Sequence, residues 1–281
     1  MDYKFIVDSC GELTHKMKES GIYMSAPLSM QVDGDSIMDD ETFDQADFLR
    51  RVAASPECPK SSCPSPEKYM ELYSGEEKRV YVVTLSSELS GSFNSAQLAA
   101  GLWKEEHGED GKQIHVFNSR SASVGETLIA CKVRECEEKG MAFEEIVSET
   151  EAYIEGQHTY FVLENLDTLR KNGRRTGIKS FVASALKIKP VKGSTPQGRI
   201  CKLGQARGMK RALAKMTEQI AHDGKRTKEK VLAIAHCNCP ERAREVERMI
   251  LDKIRVRDSF IVDTAGISTM YANDGGIIVV L

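Results

Sequence analysis

Hydroxyl side chains crowd one short stretch of this chain. Residues 80–96 read Val80-Tyr-Val-Val-Thr-Leu-Ser-Ser-Glu-Leu-Ser-Gly-Ser-Phe-Asn-Ser-Ala96, with Ser86, Ser87, Ser90 and Ser92 grouped around Gly91. A β-branched and aromatic run stops at this cluster, and a helical pattern (Phe93, Ala96, Leu98, Ala99, Leu102, Trp103) begins after it. A strand, a polar turn and a helix start in that order aim free backbone N–H groups and the positive end of a helix dipole at whatever lies above the strand. The chemistry is that of an anion seat built without cationic side chains. The plain alternative is a helix cap and nothing more, but one cap needs one serine, and four around one glycine favour a ligand seat.

Three further segments carry candidate groups. Asp8-Ser9-Cys10-Gly11-Glu12-Leu13 follows the first strand-like run; Asp8 there is a possible ligand or catalytic carboxylate, but an Asp-Ser pair more often caps a helix and fixes a loop. In Lys60-Ser61-Ser62-Cys63-Pro64-Ser65-Pro66-Glu67, a helix entry with proline in its first turn accounts for Pro64, Ser65 and Pro66. It leaves Ser61 and Ser62 available to a ligand. In Thr168-Leu-Arg-Lys-Asn-Gly-Arg-Arg-Thr-Gly177, Arg174 and Arg175 either complement a helix C-terminus or form a basic docking patch. Common catalytic signatures are missing: the chain has no G-x-S-x-G elbow, Walker loop or G-x-G-x-x-G fingerprint. A serine-dependent acyl or phosphoryl transferase using Ser87 or Ser90 needs a base, and among six histidines only His236, ending an apolar strand, is placed for it. A regulatory protein that binds a small phosphate ester at the same serines is a further alternative.

These segments must be positioned by an α/β framework. Strand-like runs at 4–7, 25–32, 80–84, 114–118, 159–163, 188–192, 231–236, 259–263 and 276–280 alternate with helical patterns. The helices are expected near 41–54, 66–74, 92–107, 122–139, 143–156, 164–171, 177–186, 207–221 and 239–254. The alternation predicts mostly parallel sheets, with ligands beyond the strands' carboxyl ends. A break near 155–160 divides the chain into 1–157, carrying the serine site, and 158–281, with a ligand cleft between the two.

At 281 residues, 41% hydrophobic and 29% charged, the chain is long enough for a substantial core. Its net charge of −3 argues against a nucleic-acid surface. No apolar run is long enough to span a bilayer, and Met1-Asp-Tyr-Lys-Phe5 does not read as a signal peptide, so a cytoplasmic location is expected. The eight cysteines form no C-x-x-C pair, and neither a metal nor a cofactor is expected.

With these segments in hand, the chain resembles the DegV family of bacterial fatty-acid-binding proteins, called FakB where paired with a fatty acid kinase. The resemblance spans the whole length and rests on seven motifs in order: Val7-Asp8-Ser9, Pro27-Leu28-Ser29, Ser61-Ser62-Cys63-Pro64, Leu85-Ser-Ser-Glu-Leu-Ser-Gly-Ser92, Asn118-Ser119-x-Ser121, Lys171-Asn-Gly-Arg174 and Lys187-Ile-Lys-Pro190. It implies a carrier rather than an enzyme. Two α/β domains would enclose one long-chain fatty acid, its tail in an apolar tunnel and its carboxylate held by hydroxyls. The family's Thr-Ser-Gln-Pro threonine falls on Ser61 and the serine of its Leu-Ser-Gly on Ser90, both of which keep a hydroxyl. Ser62, Ser87 and Gly91 accompany them at the head-group site. Arg174 would face a kinase that phosphorylates the bound carboxylate, and contact with a membrane would be transient. Two departures stand out. Met270-Tyr-Ala-Asn-Asp-Gly275 occupies the place of a His-Thr-Gly-x-Gly segment, so Met270 replaces a histidine, and either Tyr271 takes over as donor or the head group sits differently. Cys63 stands where the family often has glutamine.

Overall fold

The computed structural model describes residues 2–108, 111–174, 187–224 and 226–281. The helix expected at 177–186, and Arg175, lie outside the described residues.

Near the N-terminus, β1 (Tyr3–Asp8), β6 (Arg79–Thr84) and β7 (Gln113–Asn118) join β2 (Tyr23–Ala26) in a parallel sheet of order β2-β1-β6-β7. The strands read as near-continuous apolar runs because both faces are covered. Alternation of side chains sends Phe5, Val7, Tyr81 and Val83 to one face, against α5 (Val124–Glu138) and α6 (Phe143–Glu155). Ile6, Val80 and Val82 go to the other, against α3 (Pro66–Tyr73) and α4 (Ser92–His107). The run expected as one strand over 25–32 is two. Pro27 has no N–H to give a ladder, and beyond it β3 (Ser29–Val32) turns away into a separate antiparallel sheet of order β4-β3-β5, with β4 (Asp35–Met38) and β5 (Lys60–Ser62).

The second half builds a six-stranded sheet of order β10-β9-β8-β13-β11-β12, from β8 (Thr159–Val162), β9 (Ile188–Ser194), β10 (Ile200–Arg207), β11 (Val231–His236), β12 (Asp258–Asp263) and β13 (Ile277–Val280). The expectation of parallel pairing is met here only between β11 and β12. The β9–β10 hairpin and the insertion of β13 between β8 and β11 make the other pairings antiparallel. α8 (Met209–Asp223) and α9 (Pro240–Leu251) cover one face through Leu213, Met216, Val246 and Ile250. α5 covers the other with Val124 and Leu128, while its Ile129 and Val133 pack on the parallel sheet. One helix buried between two sheets thus fixes the two halves against each other. The remaining helices of the described chain are α1 (His15–Glu19), α2 (Gln45–Ala54), α7 (Asp167–Lys171), α10 (Gly266–Ala272) and one 3-10 turn at Thr227–Glu229.

Candidate functional site

The serine turn leaves β6 at the carboxyl edge of the parallel sheet, and Asp8, at the end of the neighbouring β1, holds it there. The wholly buried Asp8 carboxylate accepts the Leu85 N–H at 2.9 Å, the Cys10 N–H at 3.1 Å and the Ser92 hydroxyl at 2.6 Å. Burial pushes this carboxyl above its ordinary range, and the donated hydrogen bonds pull back against that rise. Asp8 is therefore a loop clamp.

Most of the turn's hydroxyls serve the turn itself. Ser92 Oγ lies between Asp8 and the Tyr69 hydroxyl, 2.7 Å away. Ser86 Oγ donates to the Gly198 carbonyl at 3.0 Å, tying the turn to the β9–β10 hairpin. Ser87 Oγ accepts from Asn118 Nδ2 at 2.7 Å. Ser90 differs: its Oγ accepts the Ser92 N–H, the first amide of α4, at 3.2 Å, and the residue lines a cavity together with Gly91, which directly precedes the helix. A Cβ on Gly91 would stand 3.1 Å from Cys63 Sγ, so the bare glycine keeps the wall open here.

The cavity measures about 400 Å³ and lies between the serine turn, β5, α10 and the six-stranded sheet, within the range of small-molecule sites. Leu28, Leu85, Phe161, Leu163, Leu169 and Ile278 give it apolar walls. Ser61, Ser62, Ser90 and Tyr271 line it as well. Ser61 Oγ and the Tyr271 hydroxyl are 2.9 Å apart, and burial pushes the Tyr271 phenol upward, so it stays protonated and able to donate. The Arg174 guanidinium lies 5.1 Å above the Tyr271 ring and donates to the carbonyls of Leu89 and Asn172 at 3.2 and 2.9 Å. Arg174 and Arg199 also line the cavity, Arg199 with its guanidinium paired to Glu88 at 2.8 Å.

Of the expected ligand residues, the geometry brings Ser61, Ser62, Ser90, Gly91 and Tyr271 to one cavity. Two are corrected. Ser87 lies off the lining because Asn118 holds its hydroxyl and backbone N–H. Met270 also lies off it, in a buried cluster with Met30, Val32 and Phe48. α10 presents Ile267, Ser268, Tyr271 and Ala272 to the cavity, a helical spacing that turns position 270 away. His236 is remote from this chemistry: it does not line the cavity, its Nδ1 accepts the Cys239 N–H at 3.3 Å, and it sits 3.3 Å from Asp263.

Several residues at the site had no assigned role in the sequence reading. Ser121, Ser123, Thr159 and Ser268 line the cavity; Ser121 Oγ meets Thr159 Oγ1 at 2.6 Å, and Ser123 donates to buried Glu12 at 2.6 Å. Burial pushes the Glu12 carboxyl up to about 7, and the same cause raises Glu126 far above its ordinary value. Asn118-Ser119-x-Ser121, at the carboxyl end of β7, was the available signal for the second serine loop. Nothing local marks Glu12 or Glu126 as buried.

A family model described as an uncharacterised protein of the DegV family matches residues 2–280. A DegV domain-containing protein of Streptococcus pneumoniae serotype 4 is 32% identical over 256 residues, covering 91% of this chain and 89% of the relative. Among solved structures, a DegV family protein of Ruminococcus gnavus refined with vaccenic acid is 61% identical and superposes with a TM-score of 0.97, covering all of both chains (100% each). The Fatty Acid Kinase (Fak) B3 protein of Streptococcus pneumoniae, loaded with linoleic acid, is 30% identical with a TM-score of 0.88, covering 100% of this chain and 99% of that one.

Proposed function

This chain belongs to the DegV family, and from that premise we propose that it binds one long-chain fatty acid in the cavity between its sheets and presents the carboxylate to a separate fatty acid kinase. The observation that carries the reading is a cavity with apolar walls that gathers Ser61, Ser90 and Tyr271. A fatty acid is an apolar chain with one anionic end, and the lining offers a surface for each. Burying about fourteen methylenes at ~0.8 kcal/mol each gives roughly 11 kcal/mol before the cost of ordering the chain. Hydrogen bonds from Ser61, Ser90 and Tyr271 would fix the carboxylate, with Ser62 and the Gly91 N–H beside them. Arg174, stacked on Tyr271, would supply the favourable charge there and border the face offered to the kinase. Residues 1–157 provide the serine turns and 158–281 the Phe161, Leu163 and Ile278 side of the tail site, so the ligand bridges both halves. The role is that of a cytoplasmic carrier without catalysis of its own: among the described residues no basic side chain is hydrogen-bonded to Ser90, and His236 is engaged elsewhere.

The test is mass spectrometry of an organic extract of the purified, denatured protein. A single fatty acid at near-equimolar amount is expected. An extract without lipid, from protein that instead retains a phosphate ester, would overturn the reading.

A further inference from the structure

The three-stranded sheet reaches α10 at two points. The first is Asp39, directly after β4, whose side chain is buried at 3% exposure. Its carboxylate accepts the Gly266 N–H at 2.6 Å and the Ile267 N–H at 2.8 Å, one oxygen to each of the first two amides of the helix. The fit leaves no slack, because a Cβ on Gly266 would fall 2.6 Å from Asp39 Oδ1 and 2.5 Å from Met30 Cε. The second point is Ser61 on β5, 2.9 Å from the Tyr271 hydroxyl. Both strands flank β3, where Met30 is opposite Ile37 on one side and Ser61 on the other. Asp39, just beyond the end of β4, and Ser61, on β5, are therefore carried by one small sheet, and α10 is held by its start and by Tyr271, one turn further on.

We infer that Asp39 is a positioning residue for the head-group end of the cavity: it seats the start of α10 so that Tyr271 meets Ser61. The assignment rests on the reading of Ser61 and Tyr271 as carboxylate ligands given above. Asp39 does not line the cavity, so it acts through the helix. Gln45 on α2 supports the same seat, its Nε2 donating at 2.9 Å to both Asp263 Oδ1 and the Thr264 carbonyl, just ahead of α10.

A double-mutant cycle tests this on delipidated full-length protein titrated with oleic acid, with thermal midpoints recorded alongside. Tyr271→Phe is expected to weaken binding about tenfold, the scale of a lost hydrogen bond to a charged group. Asp39→Asn, nearly isosteric, is expected to weaken it about fivefold or more in the parent, yet less than about twofold when Tyr271 is already Phe. Such non-additivity separates positioning from general destabilisation, which would lower affinity equally in both backgrounds. Full additivity, or an unchanged affinity in Asp39→Asn, overturns the assignment while leaving the head-group reading intact. An unchanged affinity in Tyr271→Phe instead removes Tyr271 from the head group, and the positioning role falls with it. Should Asp39→Asn fail to fold, Asp39→Glu, which keeps the charge but displaces it by one methylene, takes its place in the cycle.

Discussion

Replacing Asp8 by alanine should unseat the whole serine turn. The carboxylate is fully buried and accepts from two backbone N–H groups and one hydroxyl. Each buried donor left without a partner costs about 1–3 kcal/mol, which for three donors sets a gross loss of roughly 3–9 kcal/mol. Two effects reduce it. Burial already disfavours the charged carboxyl and pushes its pKa upward, so removing it recovers desolvation energy. Ser92 also keeps its contact with the Tyr69 hydroxyl at 2.7 Å. A net loss of about 2–4 kcal/mol is the expectation, a large share of the ~5–15 kcal/mol that holds a typical domain together. Urea unfolding measures it directly, with the midpoint falling and the slope unchanged. Because Leu85 and Ser90 line the cavity, fatty-acid affinity should fall in the same variant, whereas Asp8→Asn, which keeps an acceptor oxygen, should lie between. An Asp8→Ala protein within about 0.5 kcal/mol of the parent, the range of ordinary surface substitutions, would refute the clamp.

Ser90→Ala should weaken oleic acid binding about tenfold in a direct titration, whereas Ser87→Ala should change it less than about twofold and cost about 1 kcal/mol of stability instead; equal effects on affinity would erase the distinction drawn between them. Met270→Leu should leave affinity unchanged and cost less than about 1.5 kcal/mol, as volume-conserving core changes do; a large loss of binding would return position 270 to the cavity wall. Glu12, raised to about 7 in the folded state from an ordinary 4.5, makes stability depend on pH. Its proton is held more tightly in the folded than in the unfolded chain, so its contribution is fully present below about 4.5 and is lost as pH rises through about 7. Asp39, raised to about 6 by burial, and the neighbouring Asp8 and Glu126 act in the same direction. The thermal midpoint should thus climb as pH is lowered from 8 to 5, and Glu12→Gln should remove up to roughly 3 kcal/mol of that gain; an unaltered pH profile in that variant would exclude Glu12 as its source.

What the sequence makes legible follows from the range of the interactions involved. Val231–His236 and Ser92–His107 are readable to the residue because their patterns are local: an apolar run on one hand, a helical period after a glycine on the other. β4 carries an equally local signal, though not in its own apolar pattern. Asp33-Gly34 between two strand-like runs is a hairpin signal, and both residues adopt the positive φ that such a turn requires, +50° and +89°. β10 escaped for a different reason, since lysine, glycine and glutamine interrupt its alternation and only pairing with β9 makes it a strand.

The site is legible as a place but not as a set of roles. Density of serine after β6 marks the carboxyl edge where a ligand belongs, yet it does not say which hydroxyl faces that ligand. The choice is made by residues distant in sequence: Asp8 takes Ser92, Asn118 takes Ser87 and Gly198 takes Ser86. Ser90 faces the cavity among them. The same logic hides Glu12 and Asp39, whose burial is created by α5 and α10 rather than by their neighbours in the chain. A hydroxyl-rich loop above a parallel sheet is therefore best read by asking first what each hydroxyl must do to fold the loop. What a ligand can use is the remainder, and that remainder is fixed by tertiary contacts.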